Sequence, residues 1–216
     1  MSAHTDDQPY PASLLVLDFR RFGSRANARR QPARKYLQSA LAGAFDRGGV
    51  SWPECVREER AEGLLIVVPA LVPKPVLLDR VLCELVAALR VPPLAPDGTR
   101  VRVRIALHAG DIRRDRHGFG GDEVDRVFRL AHSTTLRRAL EHTTSACAIL
   151  LSDPLYQAMV RRPDGVFDAR RYHSVVVGQQ EPRITAWLRV PGDDYRAMVV
   201  AAASYPDDAA DPERRW

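Results

Sequence analysis

Asp18 is the first residue that invites chemistry. It ends the run Leu14-Leu15-Val16-Leu17, four apolar residues in a row. A run so short and so apolar suits a strand buried on both faces. A carboxylate at the exit of such a strand is costly without a partner, usually a metal or a cation. Directly after it come Phe19, Arg20, Arg21, Phe22 and Gly23, then Arg25, Arg29 and Arg30. A fixed carboxylate followed by a turn with free backbone N–H groups and by guanidinium groups suits a metal-bound polyphosphate. The plainer expectation is a strand capped by an Asp that pairs with Arg20 or Arg21. A second carboxylate, Glu62, stands in the turn-like Ala61-Glu62-Gly63. Further on, Asp125 and Arg129 lie four residues apart and share one face of a helical pattern.

The apolar spacing predicts the elements that position these groups. A strand covers Ser13–Phe19. Helical spacing runs from Gln31 to Arg47, with Pro32 suited to the first turn and Gly48-Gly49 to the end. Val56–Arg60 and Gly63–Pro69 form a hairpin. Pro73 and Pro75 open a helix over Val76–Leu89, and a proline-rich connection follows from Val91 to Gly98. Arg100–Leu107 alternates as a strand with one wet face and runs into a charged, glycine-rich loop, Asp111 to Gly121. A helix starts near Glu123, and Thr134–Leu140 could continue it. Then come a strand at Ala146–Leu151, a short helix at Leu155–Val160 capped by Ser152, strands at Tyr172–Val177 and Arg183–Val190, and a helix around Tyr195–Ala203.

The order β-α-β-β-α-β followed by extra elements predicts an α+β fold with a ferredoxin-like core and C-terminal β and α additions. In that core the first strand lies beside the strand that starts after Glu62. Asp18 and Glu62 then approach each other near an arginine-rich turn. Oxygen ligands with open coordination positions suit Mg²⁺ or Mn²⁺ carrying a nucleotide phosphate.

The composition bounds the rest. At 216 residues and 45% hydrophobic content, one domain with a full core is expected. We place it at residues 12–191, with a polar arm at 1–11 and a tail at 192–216. The net charge of +5 comes almost wholly from arginine, because Lys35 and Lys74 are the only lysines. Arginine favours bidentate phosphate pairing, although a G/C-rich genome gives the same bias. The 27 acidic residues are interspersed with the basic ones, which argues against a dedicated nucleic-acid surface. Cys55, Cys83 and Cys147 are odd in number and widely spaced, as expected for reduced thiols in the cytoplasm. The N-terminal sequence has no signal-peptide pattern, and no run reaches the length of a membrane span.

Four stretches, LLVLDFRRFGSR, EERAEGLLIVVP, RVRIALHAGDI and GFGGDEVDRVFRL, together with SDPLY and AWLRVPG, make the sequence resemble the class III nucleotidyl cyclases. The likeness is strongest to a small actinobacterial branch of cyclase-homology proteins. It covers Ser13 to Pro191. The resemblance implies a two-metal site holding Mg²⁺ or Mn²⁺, with Asp18 as the first ligand and Glu62 as the second. In the family the second ligand is the aspartate of a Gly-Asp-Gly turn, so Glu62 adds a methylene and Ala61 removes a glycine. The resemblance places the transition-state arginine at Arg129. Its asparagine partner falls on Asp125, which when ionised can only accept a hydrogen bond. Base selection falls on Glu58, where adenylyl cyclases carry lysine and many guanylyl cyclases glutamate; the partner position falls on Gly118, which selects nothing. The turn Phe19–Gly23 would hold the phosphates. The active site would form across a head-to-tail homodimer or with a paralogous partner.

Two functions follow from different classes. One is a degenerate or weakly active cyclase-homology module that signals through nucleotide binding or protein contacts. The other is an active cyclase that converts a nucleoside triphosphate to a 3′,5′-cyclic nucleotide and pyrophosphate. Gly120-Gly121-Asp122-Glu123-Val124 resembles the diguanylate cyclase motif, but it precedes a helical pattern where that motif needs a hairpin. The six histidines form no metal spacing, and each is expected to be solvated or structural. Ser152 has no base near it in sequence.

Overall fold

The computed structural model describes residues 8–18, 27–60, 63–90, 102–116, 118–141, 143–161, 167–178 and 183–205, with only the backbone of 27–33. Phe19, Arg20, Arg21, Phe22, Gly23, Ala61, Glu62, the 91–98 connection, His117, His142 and both chain ends lie outside the described residues.

In chain order the elements are β1 (Tyr10–Asp18), α1 (Asn27–Arg47), β2 (Val56–Arg60), β3 (Gly63–Pro69), α2 (Leu82–Leu89), β4 (Val103–Asp115), β5 (Gly118–Gly120), α3 (Asp122–Ala131), α4 (Thr134–Glu141), β6 (Cys147–Ser152), α5 (Asp153–Val160), β7 (His173–Val177), β8 (Ile184–Arg189) and α6 (Asp194–Ala202). A π-wound turn at Val76–Val81 leads into α2. The strands make one sheet in the order β2-β3-β1-β4-β6-β8-β7, and β5 folds back on β4. The antiparallel set β2-β3-β1-β4 is the ferredoxin-like core. β6 joins it parallel to β4.

Helices cover both faces. Leu15 and Leu17 of β1 pack with α1, α2 and α5, whereas Leu14 and Val16 pack with α3, α4 and α6. That explains the unbroken apolar run: in a strand covered on both sides, every position is interior. It also fixes where Asp18 points, because residues 14, 16 and 18 share one face.

Several bounds differ from expectation. β4 does not stop at Leu107 but continues to Asp115, and the expected loop is the β4–β5 hairpin. The alternation survives there, since Ile112 is buried between exposed Asp111 and Arg113 and pairs with Tyr10. Charge on the wet face hid it. α1 begins at Asn27, N-terminal of Pro32. Thr134–Glu141 is a separate helix, because the Ser133 hydroxyl accepts from the Leu136 N–H at 3.1 Å and caps a new start. Among the described residues no helix is long and apolar enough to cross a membrane.

Cys55 and Cys147 are buried and Cys83 is exposed, all three unbridged. Burial pushes the Cys55 thiol up to about 11 and Cys147 up to about 12. The thiolate is the reactive form. A thiol reagent at pH 8 is therefore expected to label Cys83 alone in the folded protein and all three cysteines in urea. Mass spectrometry of labelled peptides checks this, and native labelling of Cys147 would contradict it.

Candidate functional site

The sheet face beneath α3 carries a row of polar side chains. Period two and the strand registers put Glu58 and Arg60 of β2, Asp18 of β1, Arg104 and His108 of β4, and Ser152 of β6 on that face.

Asp18 has the cation that its position demanded, but from an unexpected element. Its side chain is 1% exposed, and Arg104 Nη2 donates to Oδ2 at 2.5 Å. Asp18 faces Arg104 directly in the β1–β4 register. His132, just past α3, brings Nε2 to 3.5 Å from the same oxygen. Arg20 and Arg21, the expected partners, lie outside the described residues. So does Glu62, though its flanks are informative. Arg60 and Gly63 pair with each other across the hairpin. A Cβ on Gly63, at φ +143°, would meet the Leu17 carbonyl oxygen at 2.6 Å. Gly63, the first residue of β3, therefore stands directly against the end of β1, beside Leu17 and Asp18.

The expected base-selecting positions meet. Glu58 Oε2 accepts the Phe119 backbone N–H at 3.0 Å, and a Cβ on Gly118 would stand 2.6 Å from that oxygen. Arg60, which the sequence did not single out, donates from Nε to Glu58 Oε1 at 2.6 Å and bonds the Phe119 carbonyl. Its guanidinium lies 5.0 Å from the centre of the Phe128 ring of α3, close enough for cation–π attraction.

Asp125 and Arg129 share the exposed face of α3, as the spacing predicted. The α3 pattern begins directly after Gly121, so Gly-Gly-Asp-Glu-Val is a helix start and not a hairpin turn.

Ser152 needs a correction. It precedes α5 but makes no capping side-chain bond. Its Oγ lies 2.7 Å from His108 Nδ1, and His108 Nε2 contacts Glu123 of α3. An ionised Glu123 can only accept, so Nε2 carries the proton and the Ser152 hydroxyl donates to Nδ1. Burial lowers the His108 pKa below its usual value, against the opposing pull of Glu123. The chain Ser152–His108–Glu123 has the order of a nucleophile, a base and its orienting acid. However, Ser152 is fully buried, so no substrate reaches it and the chain ties β6 and β4 to α3. Gly110 keeps the path open, since a Cβ there would meet Glu123 Cγ at 2.8 Å.

Among the described residues no three His, Cys, Asp or Glu side chains group to hold a metal ion. Asp18 offers one carboxylate, and Arg104 already engages it. The described donors alone do not make a cation site.

No protein-family model matches the sequence, and no curated protein matches it. Solved structures do match its fold. One is the adenylate/guanylate cyclase/hydrolase from Silicibacter pomeroyi, at TM-score 0.58 and 18% identity over 85% of this chain and 98% of that one. Another is the monomeric guanylyl cyclase domain of the RhoGC fusion protein from Blastocladiella emersonii, at 0.52 and 15%, covering 86% and 99%. Adenylate cyclase from Trypanosoma brucei matches at 0.54 and 13%, covering 84% and 89%. The chain thus has the fold of adenylyl and guanylyl cyclase catalytic domains.

Proposed function

We propose that the chain is a nucleotidyl-cyclase-type signalling module, degenerate or weakly active, that binds a nucleoside triphosphate on the α3 face. One observation carries this reading: in a cyclase-like fold, Asp18 ends the central strand beside the β2–β3 hairpin, and Arg104 holds its carboxylate. In that arrangement Phe19–Gly23 would contact the phosphates, Glu58 and Gly118 would border the base, and Arg129 would neutralise charge on the phosphates. A divalent Mg²⁺ or Mn²⁺ would be held by Asp18 and Glu62 and would polarise a phosphate oxygen. There Asp18 would share its carboxylate between the cation and Arg104, whose charge opposes the metal's, which supports weak activity over full activity. The longer Glu62 and the acceptor-only Asp125 point the same way. A head-to-tail homodimer, or a paralogous partner, would bring Asp125 and Arg129 of one subunit to the carboxylates of the other.

Retention of both Asp18 and Arg129 favours the second reading, an active cyclase. There the 3′-oxygen attacks the α-phosphorus of the same nucleotide, and pyrophosphate leaves.

Calorimetry with Mn²⁺ and each of the four ribonucleoside triphosphates tests the site, with Asp18→Asn as control after its fold is checked by circular dichroism. Binding of a triphosphate that Asp18→Asn loses is expected. The double variant Glu62→Asp, Asp125→Asn is expected to form more cyclic nucleotide than the natural protein. No binding at millimolar nucleotide by either protein would overturn the nucleotide reading.

A further inference from the structure

The contact between β2 and β5 has the form of ligand recognition. Phe119 presents one backbone edge with a donor and an acceptor. Its N–H donates to Glu58 Oε2 at 3.0 Å, and its carbonyl accepts from Arg60 Nη2. The two readers are themselves joined, Arg60 Nε to Glu58 Oε1 at 2.6 Å. Both are about three-quarters buried, with side-chain exposures of 24% and 26%. Phe128 stacks under the guanidinium and keeps it aimed. Gly118 is the residue that lets the hairpin approach. Its φ of +122° suits glycine, and any Cβ would strike the Glu58 carboxylate at 2.6 Å.

We propose that Glu58 and Arg60 together form a reader for a nucleobase edge, and that the chain's own β4–β5 hairpin occupies this reader and competes with the base. The proposal rests on the base-site reading above and deepens it. A carboxylate only accepts and a guanidinium only donates. The matching base offers donors on one side and acceptors on the other. Guanine does so twice over, with N1–H and the N2 amine towards Glu58, and O6 and N7 towards Arg60. Adenine has one amine and no carbonyl. The substrate class is therefore a guanine nucleotide. Arg60 is the specificity-determining residue that the sequence concealed, and the Phe119 peptide is the stand-in for the base.

Gly118→Ala attacks the latch by driving the hairpin and the Glu58 carboxylate apart, while Glu58, Arg60 and Phe119 keep their side chains. In the full-length protein, amide hydrogen exchange over residues 113–120 is expected to quicken, and affinity for GTP with Mn²⁺ to rise about tenfold, the scale of one released charge-assisted hydrogen bond. Arg60→Met keeps an apolar stem over Phe128 but removes the donor. It is expected to quicken the same exchange and to erase the preference for GTP over ATP. Unchanged exchange in both variants would overturn the latch. Faster exchange with unchanged GTP affinity in Gly118→Ala would overturn the competition and leave the nucleotide site standing. If neither the natural protein nor Gly118→Ala binds any nucleotide, both this proposal and the base-site reading fall. Should Gly118→Ala not fold, Arg60→Met decides alone: retained discrimination for GTP overturns the proposal.

Discussion

Replacing Arg104 with methionine is expected to destabilise the protein by about 3 kcal/mol, because it strands a buried charge. Asp18 is 1% exposed, and Arg104 donates to it at 2.5 Å. Breaking a buried pair from one side costs more than the pair contributes, since the remaining carboxylate is still out of water and has lost the guanidinium that offsets its charge. Two features hold the cost to the lower end of that range. His132 Nε2 stays 3.5 Å from the carboxylate as a polar neighbour, and Arg104 is itself 20% exposed. Urea unfolding gives the number. The double variant Asp18→Leu, Arg104→Met is expected to recover most of the loss, because a pair of apolar side chains carries no desolvation debt. A single-variant loss below about 0.5 kcal/mol, the range of ordinary surface substitutions, would mean that Asp18 is not held by Arg104. The same variant separates stability from function. If Asp18 and Glu62 hold a divalent cation, Arg104→Met weakens the fold while it strengthens Mn²⁺ binding.

Which parts of this were legible in the sequence follows from the range of each interaction. The β2 and β3 bounds are legible to the residue, because the run Gly63–Pro69 is apolar throughout and the charged stretch ending at Arg60 contrasts with it. The core order was legible for the same reason: each element announces itself by local period. The need of Asp18 for a cation was legible as well, from burial alone. Its identity was not. Arg104 lies 86 residues away and appears in sequence as one of three alternating arginines on a wet face. Only the β1–β4 register selects it. Ser152 and His108 are 44 residues apart and meet because β4 and β6 run parallel. The Glu58–Phe119 bond spans 61 residues and uses a backbone group, which no side-chain motif reveals. Arg60 in particular reads as an ordinary charged residue on an edge strand. What hid it is that its two distant partners are a peptide and a ring face.

His108 carries the second large effect, and it shows in pH as well as in stability. Replacing it with leucine leaves the Ser152 hydroxyl, fully buried, and one side of Glu123 without a partner. We expect a loss of about 2–4 kcal/mol, the cost of an unsatisfied buried hydroxyl plus part of that of a weakened carboxylate contact. The pH dependence has a definite sign. Burial lowers the folded-state pKa of His108 below the ordinary value of 6.5, while Glu123 raises it and Arg126 lowers it by smaller amounts. The unfolded chain therefore takes up a proton at a pH where the folded chain does not. The contribution of His108 is complete above about 6.5 and is lost as the pH falls from there towards the folded value. Protonation also breaks the acceptor role of Nδ1 towards the Ser152 hydroxyl, so the hydroxyl must turn. Urea midpoints of the natural protein should fall between pH 7.5 and pH 5.5 by more than those of His108→Leu. The comparison of the two proteins cancels the exposed histidines. An equal fall in both would show that His108 titrates alike in the folded and unfolded chain, and that the tie between β4, β6 and α3 is set by packing instead of by this proton.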